Sequence, residues 1–195
     1  MHVRAFAAIR ELSEVVVFSP TPEKRIAFAA KMSSELGVPV RAAESADEAR
    51  DAFRESADVV LAAARSYGEK PILFGDYLKP GATVVSIGST VPSQREIDSS
   101  VVEQCDLIVC DDLGEVVDET GDMIAAAAAG VSLEGRCASL HALISGDLEE
   151  QLSRSEIRMF KSTGSGIQDI VVAGLAFDKA VESGLTTPLP VAFAT

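Results

Sequence analysis

The sequence predicts an α/β fold: a single Rossmann-like, doubly wound sheet of parallel strands. Three observations predict it. Short β-branched runs alternate with helical stretches of about ten residues, the pattern of βαβ units. Apolar residues make up 47% of the chain while aromatics are only 5% and Trp is absent, so the core must be Ala, Val, Ile and Leu, as in a parallel sheet covered on both faces. At 195 residues one domain can bury such a core by itself.

The elements follow in order. Val3, Phe6, Ala7 and Ile9 recur at helical spacing with no cap before them, so the chain opens inside a helix. Residues 15–18 form a short strand. The next helix runs over residues 23–36, with Thr21 as N-cap, Pro22 at the first helical position and Gly37 as terminator. A strand over 38–41 leads to a helix over 45–55, where Ser45 and Glu48 make a capping box. Strands are expected over 57–62, 83–87 and 107–110, and a short extended piece over 71–74. Residues 115–143 read as mostly helical, broken at Gly121, Gly130 and Gly135, with the alanine run 125–129 as a buried helix. A last strand is expected over 156–160. A long amphipathic helix over 164–183 is closed by Gly184, and the tail 187–190 is extended. Right-handed crossovers and the usual 3-2-1-4-5-6 order would place the first strand of such a sheet at its centre.

The formal net charge of −13 argues against nucleic acid and anionic membranes as partners. No apolar run reaches the ~18 residues that span a bilayer, and the amino terminus carries no signal-peptide pattern. Cys105, Cys110 and Cys137 are an odd number without metal-ligand spacing, and there are two His, so no metal site is expected. Reduced thiols, with Cys105 and Cys110 buried, point to the cytoplasm.

The stretch 83–98 draws attention as a site. It begins as an uncharged buried strand and breaks at Gly88 and Pro92. Ligands of open parallel sheets lie just past the carboxyl ends of strands, so Ser86, Ile87 and Gly88 are where a substrate or the nicotinamide end of a dinucleotide would sit. Val84, Gly88, Pro92, Glu96 and Ile97 fit a VxxxGxxxPxxxEL-like run. Together with residues 57–60, 78–82, 119–122 and 160–164, all in the right order, they resemble the ornithine cyclodeaminase/mu-crystallin family.

The resemblance implies an NAD(P)-dependent oxidoreductase that works as a dimer on a small amino or imino acid. In the family a strand, a GxGxQA loop and a whole substrate-binding domain precede the helix with which this chain opens. The expectation is therefore a dinucleotide-binding domain over 1–195 that lacks the family's first strand and glycine-rich loop, with 164–195 docking on the absent substrate/dimerisation domain. A non-catalytic NADPH or small-ligand binder of the mu-crystallin type, or an inactive remnant, are the alternatives.

The resemblance also assigns residues. Where an NAD-selective unit carries an acid on the ribose, residues 18–22 carry none. Ser19 and Thr21 offer hydroxyls and Lys24 and Arg25 offer cations beside a helix amino terminus, which favours NADP(H), with NAD(H) as the alternative. The same residues would also serve a plain turn and N-cap. Ala63 and Ala64 leave room for the adenosine half of a cofactor, or mark close packing at a strand end. Thr90 stands at the position of the cyclodeaminases' aspartate. A threonine is no carboxylate base, which argues against ornithine cyclodeamination. Reduction of cyclic imines (ketimines, pyrroline carboxylates) or reductive amination of small oxo acids fits better. As a plain loop residue Thr90 would bond its hydroxyl to local backbone. Ser162 and Thr163 are the candidate contacts to the nicotinamide.

Overall fold

The computed structural model describes residues 1–63 and 70–187. The helices are α1 (His2–Ile9), α2 (Pro22–Leu36), α3 (Ala46–Ser56), α4 (Ser99–Gln104), α5 (Leu113–Glu119), α6 (Gly121–Ala128), α7 (Leu140–Ile144), α8 (Glu149–Arg154) and α9 (Gly166–Glu182), with a 3₁₀ turn at Gly75–Tyr77. The strands are β1 (Val15–Val17), β2 (Val40–Ala42), β3 (Val59–Ala62), β4 (Thr83–Ser86), β5 (Leu107–Cys110), β6 (Cys137–Ser139) and β7 (Arg158–Lys161). All pairings between these strands are parallel: β1 with β2, and a five-stranded sheet in the order β3-β4-β7-β5-β6. The predicted α/β class with a parallel sheet is the observed one.

Local chemistry sets the helix ends. Gly37 terminates α2 at φ 69°, a left-handed conformation that glycine adopts without penalty. Ser45 Oγ accepts from Glu48 N at 3.1 Å, as a capping box requires. The reciprocal arm differs, because the Glu48 carboxylate takes the amide of Glu44 at 2.7 Å. Thr21 sits at the N-cap of α2 but makes no side-chain cap hydrogen bond. At the end of α4 the Arg136 guanidinium donates to the carbonyls of Val102, Glu103 and Cys105, groups that a helix leaves without internal partners.

The core has two sides because strand side chains alternate. Val60, Val84, Met159 and Ile108 face one cluster, shared with Val101 and Val102 of α4 and Met123 and Ala126 of α6. Leu107 and Val109 face the other with Leu148, and Leu143, Leu152 and Phe160 pack against them. Helices therefore cover both faces of β5, and its four residues are all buried.

Three expectations need correction. The usual strand order does not hold, because β7, the last strand of the chain, inserts between β4 and β5. Its Met159 and Lys161 enter one covered face while Phe160 packs on the other, and a central strand can bury both. Residues 137–139, read as part of a mostly helical region, form edge strand β6 opposite Ile108–Cys110. Three small residues carry too little β-propensity to announce a strand, and the exposed edge of β5 recruits them. Within the alanine run only Ala126 is buried. The extended piece at 71–74 contributes a single bridge, Leu73 to Ile97.

Among the described residues, β1 pairs only with β2 and β3 pairs in-sheet only with β4. The two strands do not pair with each other, so each presents an open edge. The long helix α9 has no buried residue. Ile167, Ile170, Phe177 and Leu185 are each more than 60% exposed. No helix among the described residues is long and apolar enough to cross a membrane.

Candidate functional site

The carboxyl ends of β3, β4, β7 and β5 lie side by side, because Ala62 pairs with Ser86, Ser86 with Lys161, and Cys110 with Lys161. The loops that leave this edge carry Ala63, then Ile87 through Gln94, then Asp111, then Ser162 through Gly164. The structure thus brings together Ala63, Ser86, Ile87, Gly88, Thr90, Ser162 and Thr163. The remaining predicted residues, Ser19, Thr21 and Lys24, group around the carboxyl end of β1. Ala64, with Arg65 and Ser66, and the tail from residue 188 onward lie outside the described residues.

The loop after β4 is held by buried polar groups. The Ser86 hydroxyl donates to Glu96 Oε2 at 3.0 Å, and the Gly88 amide donates to the same oxygen at 2.9 Å. Ser89 Oγ donates to the Gln94 carbonyl at 2.7 Å. The Thr90 amide donates to Gln94 Oε1 at 3.0 Å, and its hydroxyl stands 3.5 Å from that atom. Thr90 is half-buried at the loop surface and bonds to a side chain four residues on, where the local reading expected a backbone partner.

Below the loop lies an ion pair without solvent contact. Lys161 Nζ donates to Asp122 Oδ2 at 2.9 Å, to the Ser89 carbonyl at 2.9 Å and to Ser86 Oγ at 3.0 Å. Those are its three protons, so the ammonium is fully satisfied. Asp122 Oδ1 accepts the amides of Glu96 and Ile97 at 2.8 and 3.1 Å. Glycine at 121 lets α6 start hard against the loop, and its amide donates to the Val91 carbonyl at 3.2 Å.

Across the edge, Asp111 organises the segment after β7. Its carboxylate accepts Ser162 Oγ at 2.6 Å and the amides of Thr163 and Gly164 at 3.1 and 2.9 Å. Burial pushes the Asp111 carboxyl upward. The hydrogen bonds from Ser162 and from the amides of Asp112, Thr163 and Gly164 outweigh it and hold the group below the usual carboxylate range. Thr163 Oγ1 is 3.2 Å from Glu115 Oε2 and donates to it. Both hydroxyls therefore spend their protons on carboxylates and present only lone pairs to a ligand. Ser86 is likewise turned inward and fully buried.

At β1 a cleft of about 230 Å³ is lined by Val17, Ser19, Lys24, Arg25 and Phe28. Arg25 is committed there. It donates to the carbonyls of Ser19 and Glu44 and lies 5.3 Å over the Phe18 ring. Lys24 is exposed. A larger concavity, about 410 Å³, lies under α5 against Leu133 and Cys137 and contains none of the predicted residues.

Reading the sequence for chemistry missed Lys161, Asp122, Gln94 and Asp111 as members of the site. One signal was available. Lys161 follows Met159 by two in a strand, so it must point into the same face as a core methionine, where a lysine needs partners.

The fold and the crowded carboxyl edge define a Rossmann-like α/β domain. The chain belongs to the ornithine cyclodeaminase/mu-crystallin family, whose model matches residues 1–184. It is 30% identical over 182 residues to a Delta(1)-pyrroline-2-carboxylate reductase of Bacillus thuringiensis, over 93% of this chain and 54% of that protein. The structure of Thermococcus litoralis Delta(1)-pyrroline-2-carboxylate reductase in complex with NADH and L-proline matches with a TM-score of 0.85 at 31% identity, over 96% of this chain and 56% of that one. The Paracoccus denitrificans iminosuccinate reductase in complex with NAD+ matches with a TM-score of 0.84 at 26% identity, over 97% and 55%. The chain spans about half the length of these relatives.

Proposed function

We propose that this chain is the dinucleotide-binding part of an NAD(P)-dependent reductase of small imino acids, with cyclic imines such as pyrroline carboxylates or ketimines as substrates. The observation that carries this is Thr90 at the surface of a rigidly held loop on the carboxyl edge, in a chain similar to two kinds of imine reductase. A threonine hydroxyl can orient a substrate by hydrogen bonding but cannot take a proton as a carboxylate does at neutral pH. That supports reduction over cyclodeamination of ornithine.

The residues fit a dinucleotide. The cleft at β1 opens beside the first turn of the 15-residue helix α2, whose amides and dipole favour an anion. Ser19 and Lys24 would hold a ribose 2′-phosphate there, so NADPH is the preferred form and NADH the second. Arg25 shapes the turn, since its donors go to backbone carbonyls. Ala63 adds no bulk beside the adenosine half, and Ile87, Gly88, Ser162 and Thr163 would border the nicotinamide. When bound, the reduced cofactor supplies the hydride, and the chain's own part is to hold both reactants at the sheet edge and to keep a hydroxyl at Thr90.

The bare apolar surface of α9 supports a docking role. We place it against a substrate-binding and dimerisation domain of the kind the family resemblance implies, in a homodimer. The free thiols of Cys105, Cys110 and Cys137 suit the cytoplasm.

The test is a hybrid in which this chain replaces the matching half of the Thermococcus reductase. Oxidation of NADPH by pyrroline-2-carboxylate, with no proline formed from ornithine, is the expected result. A folded hybrid that cyclises ornithine, or that turns over no imine, overturns the reading.

A further inference from the structure

We propose that Lys161 is a positioning residue, which holds the loop 88–97 and with it Thr90 through buried partners and without touching Thr90 itself. The proposal rests on the reductase reading only in taking that loop as a wall of the site.

A lysine without solvent contact in the middle of a sheet is a poor choice for stability. Taking its charge and that of Asp122 out of water costs several kcal/mol each, and apolar side chains of similar volume often do as well or better in such places. What a methionine at 161 could not do is grip the loop. The ammonium holds the loop's first limb at the Ser89 carbonyl, and its partner Asp122 holds the last limb at the amides of Glu96 and Ile97. Ser86 closes the circuit. It accepts from Lys161 and donates to Glu96, whose same oxygen takes the Gly88 amide. Three separate elements, β4, β7 and the start of α6, are thus clamped to one loop of ten residues. Inside the clamp Gln94 is 1% exposed, and it alone presents the oxygen that receives the Thr90 amide.

Ser86, Glu96, Asp122 and Lys161 are all 0% exposed, so none of them touches solvent. Glu96 is held by Ser86 and Gly88 as described and sits on the same side as the ion pair.

Amide hydrogen exchange on the chain as it stands is the test. Lys161→Met paired with Asp122→Asn removes both charges of the ion pair together and keeps an oxygen for the amides of Glu96 and Ile97. The amides of Gly88 and Thr90, which contact neither changed residue, should exchange roughly tenfold faster. The Ile108 amide, bonded to the Arg136 carbonyl at 2.7 Å in β5, should keep its rate. Loop amides that stay as slow as before overturn the proposal, and so does an equal acceleration at Ile108, which would mean the pair merely supports the fold. Should the double variant not fold, Ser86→Ala removes the hydroxyl that joins Lys161 to Glu96 while leaving every charge in place, and should quicken Gly88 in the same selective way. Unchanged Gly88 exchange in that variant also overturns the proposal. No cofactor enters the measurement, so its failure leaves the reductase reading standing, and an inactive hybrid leaves the clamp standing.

Discussion

Replacing Gly121 by alanine tests how tightly the site is built. A Cβ at this position would overlap the Gln94 carbonyl oxygen and come within 2.6 Å of the Pro92 carbonyl oxygen. Both are backbone atoms of the loop that carries Thr90, and a backbone clamped at both limbs cannot swing aside as a side-chain tip can. Overpacking a rigid site costs typically 1–3 kcal/mol, and this contact belongs at the upper end, about 3 kcal/mol. Alanine's better helix propensity returns at most about 1 kcal/mol, and less in a first turn. The net loss of about 2 kcal/mol lowers the melting temperature of a chain this long by about 4–8 °C. Gly174 in α9 is the control. Nothing lies within 4 Å of a Cβ built there, so Gly174→Ala should gain propensity alone and raise the melting temperature slightly. Scanning calorimetry of the two variants compares them directly. Equal behaviour of Gly121→Ala and Gly174→Ala would refute the close approach of α6 to the loop.

Three further outcomes are expected. The Asp111 carboxyl titrates lower in the folded than in the unfolded chain, so its stabilisation is fully present above the unfolded value of about 3.9 and is lost as pH falls through the folded value; Asp111→Asn should flatten that acid limb in unfolding curves, and an unchanged limb would contradict the assignment. In a hybrid that binds cofactor, Lys24→Ala should weaken NADPH more than NADH by titration calorimetry, whereas Thr21→Ala should leave stability nearly unchanged because no cap bond is present to lose; equal loss for both cofactors on removing Lys24 would remove the case for NADPH. The open edges of β1 and β3 invite strand addition, so light scattering of the chain alone should show concentration-dependent association, reduced by Val59→Lys on the 43% exposed Val59; a strict monomer would show the edges to be inert.

The parallel α/β class, most strand positions and the capping of α3 could all be read from the chain, because periodicity, β-branching and Ser45–Glu48 are local signals. The family resemblance rested on the same kind of signal, a spacing of Gly88, Pro92 and Glu96 that survives without knowledge of the fold. Local signals do not report neighbours brought from afar. That β7 inserts beside β4, and that Cys137-Ala138-Ser139 becomes a strand, follow from which sheet edges remain to be covered. The site shows the same division. Thr90, Ser162 and Thr163 could be named from their places in loops. Tertiary structure alone decided that Ser162 and Thr163 give their protons to Asp111 and Glu115. It also joined Lys161 to Asp122, 39 residues apart in sequence, because a buried charge is satisfied only by whatever the fold places within hydrogen-bonding reach.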